Sequence, residues 1–403
     1  MRNTQRVLNR LSLSGLAATL VGNGIGRFAY IALMPVLIGQ QWFTPNEAAV
    51  LGGATLVGYL AGVPLAGRLT RRWRVSVLIR AALLICSVSY LACAWRGQGF
   101  LAFCGWRLLA GVGGALAMVL VPNLVIQRSE PAFRGRASGV VFAGVGTGVM
   151  ASATLVPLCV GLGVSATWLV LGGLCLVLTA GTWRTWRELL VDQPGRTAAA
   201  PVTAPSPAEP QQWPKSLTWP VAGLWLGYAL NAVGYLPHAL FWVDYITREL
   251  GQPLVVGGMF WGIFGLAAAV GPFVTGPLAD RLGFGRTLTA AYVLKTVGAA
   301  LPLWDHSWIA LGVSSALMGL CTPGISALVS GYTMALLGRA WHRRAWGWMT
   351  FAFAAAQVAA GGGMIFLVRQ QESYHPLFLL STGALLLSTA LAAVLGWSRR
   401  DLA

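Results

Sequence analysis

Long apolar runs broken by short polar joints recur from Leu11 to Trp397, each close to the ~20 residues that carry a helix across a bilayer. The pattern predicts twelve spans, at 12–38, 46–67, 75–95, 99–127, 136–161, 165–183, 217–242, 254–278, 287–304, 308–337, 345–368 and 376–397. Lipid offers backbone N–H and C=O groups no partner, so each run is expected to be helical. Glycines inside the runs, such as Gly52, Gly53, Gly58 and Gly62 or Gly144, Gly146 and Gly148, would let neighbouring helices approach closely. The longest polar interval contains the run APVTAPSPAEP and no hydrophobic period, so 184–216 reads as a linker. The expected fold is an all-α integral membrane protein: a first six-helix bundle at 1–183, the linker, and a second bundle at 217–403.

Composition agrees with the pattern. Hydrophobic residues make up 56% of the chain and charged residues 10%, where a soluble domain carries about a quarter charged. The 28 Lys and Arg against 11 Asp and Glu would suggest nucleic-acid binding in a soluble protein. Here the basic residues fall in short clusters in alternate joints. With a cytoplasmic N-terminus, 21 of the 28 lie in cytoplasmic segments and only Arg96, Arg248 and Arg369 in outer loops. That bias is the positive-inside pattern; it places both termini in the cytoplasm and leaves no reason to expect nucleic acid as a partner. Trp42, Trp95, Trp304, Trp308, Trp341 and Trp397 fall near the expected interfaces, as an aromatic belt would. The first run is too long for a signal-peptide core and is read as a permanent span.

Enzyme and cofactor chemistry find no foothold. All six cysteines lie inside apolar runs with no C-x-x-C pair, which speaks against a disulfide framework or a zinc site. Gly22-x-Gly24-x-Gly26 lacks the strand and turn of a dinucleotide fingerprint. His306, His342 and His375 sit at joints and form no metal set. No catalytic residue, cofactor or metal is expected.

The informative residues are the charges inside the spans. Arg27 lies about 22 Å along the first helix at ~1.5 Å per residue, near mid-bilayer, where a charge costs at least ~2.5–3.5 kcal/mol unless compensated. It is read as lining a cavity, with structural pairing as the alternative. Arg107 could contact cargo, serve coupling or anchor a neighbouring helix. Lys295 and Arg80 are expected to snorkel to an interface. None of the acidic residues is expected at mid-membrane: Glu47 opens the second span, Asp244 follows the seventh and Asp280 lies in a joint. Membrane arginines without internal carboxylates point to an anionic cargo.

The seventh span carries Tyr228, Asn231, Tyr235, Pro237 and His238. The first three are spaced to share a helix face and could offer hydrogen bonds to cargo. Tyr30, three after Arg27, and Gln357 in the eleventh span are further polar candidates. His238 can titrate near neutral pH, so a coupling or gating role stands beside a structural one. Pro35 and Pro237 could let the first and seventh spans bend.

An internal echo supports two related halves: Leu65-Ala66-Gly67-Arg68-Leu69 follows the second span and Leu278-Ala279-Asp280-Arg281-Leu282 the eighth. GPLADRLGFGR, from Gly276, resembles the loop motif of the major facilitator superfamily, and the first-half copy has Gly67 where aspartate is usual. GNGIGRFAYIALMP, from Gly22 to Pro35, narrows the resemblance to the bacterial YbfB/YjiJ-like branch. The stretch from Arg107 to Gly114 resembles the superfamily's fourth-helix motif linked to proton coupling. The resemblance implies a multi-pass secondary transporter of the bacterial inner membrane, in which Asp280 and Arg281 latch one conformation. The expectation is alternating-access transport of a small organic anion, driven by protons or exchange, with membrane lipids around a monomer. Proton-driven efflux of an amphipathic metabolite or drug, a lipid translocase and a non-transporting sensor remain open.

Overall fold

The computed structural model of the chain describes residues 10–129, 134–188, 218–371 and 373–398; among them there is no strand. Ten helices among the described residues are long and apolar enough to cross a membrane. The first, Arg10–Gly39, is composite: α1 (Arg10–Thr19), a π-helical stretch (Leu20–Ile25), a turn, and α2 (Ala29–Gly39). Then come α3 (Pro45–Leu69), α4 (Val75–Ala92), α5 (Phe100–Arg128), α6 (Arg134–Cys159) and α7 (Val164–Glu188). The expected seventh span is helical but broken, into α8 (Thr218–Gly234), α9 (Leu236–Leu240) and α10 (Trp242–Asp244). α11 (Leu254–Leu282) follows, and the expected ninth span is α12 (Phe284–Ala300), 17 residues long. The last three long helices are α13 (Trp308–Gly338), α14 (Ala345–Gln371) and α15 (His375–Gly396). Most of the linker at 184–216 lies outside the described residues.

Local chemistry explains the helix ends. Thr44 and Glu47 form a reciprocal capping box at the start of α3, with Pro45 where a missing N–H costs nothing. Ser307 begins α13: its hydroxyl accepts the Ala310 N–H, while its own N–H and O–H donate to Asp305. Helical structure continues from α13 towards α14 with one interruption, Gly338, whose φ of 65° and ψ of −179° are open essentially to glycine alone.

The two broken spans have different causes. In the first span, the break lies over 20–28 rather than at Pro35, which sits inside the regular α2. The glycines of GNGIG bring backbones together there: a Cβ on Gly24 would stand 2.7 Å from Gly148 Cα, and one on Gly22 would stand 2.7 Å from Ala117 Cβ. A side chain satisfies a backbone group at the break, as a non-aqueous setting requires: the Tyr90 hydroxyl donates to Ile25 O, while Asn23, within the break, donates its Nδ2 to Gly114 O of α5 at 3.0 Å. In the seventh, Pro237 has no N–H to continue the ladder, and the Ser381 hydroxyl donates to the Gly234 carbonyl.

The described residues fall into two compact units. One comprises 10–188 with Ala239–Ala269, the other 218–238 with 270–398. Within the first, α3 packs along α5 by backbone approach: a Cβ on Gly111 would come 2.1 Å from Thr55 O, and one on Gly58 would come 2.0 Å from Leu108 O. Ala239–Ala269 joins this unit because Gly146 backs onto Gly265 and Ala269, and Gly258 onto Ala153. The unit boundary therefore differs there from a simple division into sequence halves. In the second unit α12 packs between α13 and α15, and α8 lies against α15.

Candidate functional site

In the first unit, the broken span delivers Arg27 and Tyr30 from the turn and the start of α2. Arg27 is 9% exposed, its guanidinium carbon 5.1 Å from the Phe28 ring centre and 4.9 Å from that of Tyr59. Arg107, on α5, is 1% exposed and is enclosed by three rings: Tyr30 at 4.7 Å, Tyr90 at 5.2 Å and Trp168 at 5.9 Å. None of its three guanidinium nitrogens has a hydrogen-bond acceptor among the described residues. The rings are themselves fixed, since the Tyr30 hydroxyl donates to Ala48 O at 2.7 Å and Tyr90 is held to Ile25 O. Aromatic faces stabilise a cation but satisfy none of its N–H donors. The arrangement is thus an aromatic box around a guanidinium whose N–H groups have no well-formed acceptor among the described residues.

One acidic residue changes the sequence picture. Asp244, expected merely to follow a span, is 2% exposed in α10 and paired to Arg248 at 3.1 Å. α10 packs on α2, so this carboxylate is inside the first unit. It lay beyond the expected hydrophobic boundary because Pro237 breaks the span and turns its last residues inward.

In the second unit, the stripe expected on the seventh span is buried and divided between two neighbours. Tyr228 stacks on Phe353 of α14 with centroids 4.6 Å apart and donates to Ser326 at 3.0 Å. Gln357 Nε2 donates to the Tyr235 hydroxyl at 2.7 Å. Asn231 instead receives a hydrogen bond from Lys295 Nζ at 2.9 Å, and that ammonium also lies 5.0 Å from the Tyr235 ring centre. The snorkelling expected of Lys295 is therefore wrong: it is 0% exposed and points to the seventh span, because Asn231 and Tyr235 offer a closer partner than the interface. Arg80 packs over the Trp183 ring at 4.8 Å.

His238 is fully buried with Nε2 2.8 Å from Ser314 Oγ, and the Ser314 hydroxyl donates onward to Gly298 O at 2.6 Å. A hydroxyl has one proton to give, so Nε2 must be the donor in the pair with Ser314. Asp280 and Arg281 are exposed at the end of α11 and make no ion pair among the described residues. No group of three His, Cys, Asp or Glu that could hold a metal occurs among the described residues. Sequence reasoning missed Tyr90, Trp168 and Ser314, which read as ordinary core until helix packing brings them to Arg107 and His238. Asn23 stood beside them inside the glycine run, a polar residue amid small ones.

Buried cations and oriented aromatic groups inside a set of lipid-length helices define a polytopic membrane carrier rather than an enzyme. The comparisons agree, and the chain belongs to the family described as "Uncharacterised MFS-type transporter YbfB", whose pattern matches residues 19–393. It is 24% identical over 326 residues to the class C tetracycline resistance protein of Escherichia coli, covering 77% of this chain and 78% of that protein. It is 28% identical over 321 residues to the probable transporter SCO4007 of Streptomyces coelicolor, covering 74% and 67%. Among solved structures, a bacterial homologue of the iron transporter ferroportin in its outward-facing state has a TM-score of 0.67 at 17% identity, covering 98% of this chain and 100% of that one. A second structure, described as a bacterial homologue of the iron transporter ferroportin in outward-facing state with soaked iron, gives a TM-score of 0.66 at 17% identity, covering 97% and 99%. The fold is thus that of the major facilitator and ferroportin type. The chain is a multi-pass secondary transporter of the bacterial inner membrane.

Proposed function

We propose that the protein moves a small organic anion by alternating access, driven by protons or by exchange. In this reading it has twelve spans in two six-helix bundles, 1–183 and 217–403, joined by a cytoplasmic linker, with both termini cytoplasmic. The observation that carries the cargo charge is the imbalance of buried ions. Arg27 and Arg107 are buried guanidiniums, and Asp244 is the one buried carboxylate among the described residues, already paired with Arg248. Arg107 in particular has five N–H donors with no protein acceptor among the described residues, the complement of a carboxylate's lone pairs. Tyr30 faces it from the broken first span, which also carries Arg27, and Tyr228, Asn231, Tyr235 and Gln357 are the polar groups the second unit offers. His238 and Arg107 are the coupling candidates, and Asp280 with Arg281 the conformational latch.

The experiment is calorimetry on Arg27→Gln in detergent or nanodiscs, with benzoate, lactate and succinate each compared with its neutral amide. A larger loss of affinity for the carboxylates than for the amides supports the reading. Equal losses, or cation transport untouched by the substitution, overturn it.

A second reading has its own support. The tetracycline resistance relative and the box of Tyr30, Tyr90 and Trp168 both suit proton-driven efflux of an amphipathic, ring-bearing compound. Retained binding of a neutral aromatic compound in Arg107→Gln, with loss in Trp168→Ala, would favour it.

A further inference from the structure

Of the 28 basic residues, 26 are arginine and only Lys215 and Lys295 are lysine. Lys215 lies outside the described residues. Lys295 is the lysine that the fold buries completely. The choice has a chemical meaning, because a guanidinium keeps its proton under all ordinary conditions and an amine can give it up.

The surroundings of Lys295 fit that difference. Its partner is the neutral amide oxygen of Asn231, which accepts an N–H from an ammonium or from an amine, more strongly from the charged donor. The titratable and charged groups on the elements packed around it are Tyr228 on α8, Tyr235 at the break, His238 on α9, Tyr292 and Arg286 on its own helix, and Cys321 and Tyr332 on α13. His375 begins α15 and is exposed. The carboxylates of this unit, Asp280 and Asp305, are exposed, so none among the described residues is buried beside the amine to fix its charge.

Position adds the consequence. Asn231 stands four residues before Tyr235, where the seventh span breaks, and His238 stands three after it. Both sides of the break are tied to α12, by Lys295 to Asn231 and by His238 through Ser314 to the Gly298 carbonyl. The Tyr235 ring at the break itself faces the Lys295 ammonium, and a ring face attracts the charged form and not the neutral one.

We propose that Lys295 is a reversible proton-binding site whose ammonium form clamps the broken seventh span to α12. The step is a proton transfer alone: the ε-amine takes one proton from water to become ammonium and later returns it, and no other bond is made or broken. Loading the proton adds the attraction to Tyr235; unloading it leaves the single N–H bond to Asn231 and frees the break to move. Neither Arg27 nor the nature of the cargo enters this inference.

The test uses the full chain in nanodiscs, labelled with isotopic lysine and carrying Lys215→Arg, so that Lys295 gives the one lysine side-chain signal. The expected result is an NMR shift of that signal with pH across the neutral range. Asn231→Asp, which places a carboxylate against the amine, should hold the signal in the ammonium position over the same range. A signal fixed at one position in Lys215→Arg overturns the proposal. So does a titration that Asn231→Asp leaves unchanged, since the site would then lie elsewhere than at this contact. Because no cargo is added, failure here leaves the anion test of Arg27 standing.

Discussion

Replacing Arg107 by methionine should separate stability from binding in opposite directions. The structure places three rings within 4.7 to 5.9 Å of the guanidinium carbon. Each desolvated cation–π contact is worth up to about 2 kcal/mol. Against this stands the cost of holding a guanidinium out of water without acceptors, several kcal/mol after relaxation. The two nearly cancel, and methionine, though shorter, replaces the charge with an apolar, polarizable chain that suits ring edges. Arg107→Met is therefore expected to leave Tm unchanged or raise it, by up to about 1–4 kcal/mol of stability if the charge was uncompensated. Affinity should move the other way. A hydrogen bond to a charged group contributes about 1.5–3 kcal/mol, so loss of the anion contact should weaken carboxylate binding roughly 10- to 150-fold. The assay is differential scanning fluorimetry on the purified variant beside calorimetry with benzoate and benzamide. A collapsed Tm with unchanged benzoate affinity in the folded fraction would refute the reasoning and make Arg107 a structural anchor.

Gly111→Ala should destabilise the first unit by about 1–3 kcal/mol, because the new methyl meets the Thr55 carbonyl at 2.1 Å; thermal unfolding in detergent measures it. Tyr90→Phe keeps the ring beside Arg107 but strands the Ile25 carbonyl, a loss of about 1–3 kcal/mol read by the same method. Asp280→Asn should shift the balance of inward- and outward-facing states if the loop is a latch, and unchanged spin-label distance distributions across the two openings would dismiss that role. Cysteines introduced at Ser206 and Gln252 should label from the cytoplasmic and the outer side respectively, and the reverse result would invert the proposed orientation.

The helices were legible because bilayer thickness and backbone hydrogen bonding leave an apolar run little choice. What departed from regularity was legible only in part. Pro35 and Pro237 marked where the first and seventh spans could bend. The seventh span is broken beside Pro237, whereas α2 passes through Pro35 and the first span gives way over Leu20 to Phe28. Close approach of Gly24 to Gly148 and Gly22 to Ala117 decides that, and contacts over more than 90 residues are not written in any local pattern. The site shows the same division. Arg27 and Arg107 stood out because charge in an apolar run is conspicuous by itself. The rings that enclose Arg107 come from α2, α4 and α7, and nothing local distinguishes Tyr90 or Trp168 from core. Lys295 was visible but misdirected, since a long stem alone cannot tell an interface from a partner inside.

The break in the first span bears on how the protein is made. In its most apolar 18-residue stretch, 89% of the residues are buried by protein, against 22% for α14. A helix with loosened backbone bonds is tolerable in a membrane only when other chain segments supply the missing partners. Tyr90, which takes up Ile25 O, and the backbones of Gly114 and Gly148, against which the break packs, are synthesised after it. The segment is made before them, so it must enter the lipid as an unbroken helix and acquire its working shape only once α4, α5 and α6 have arrived. Its final geometry is a late event of assembly, although its residues precede theirs.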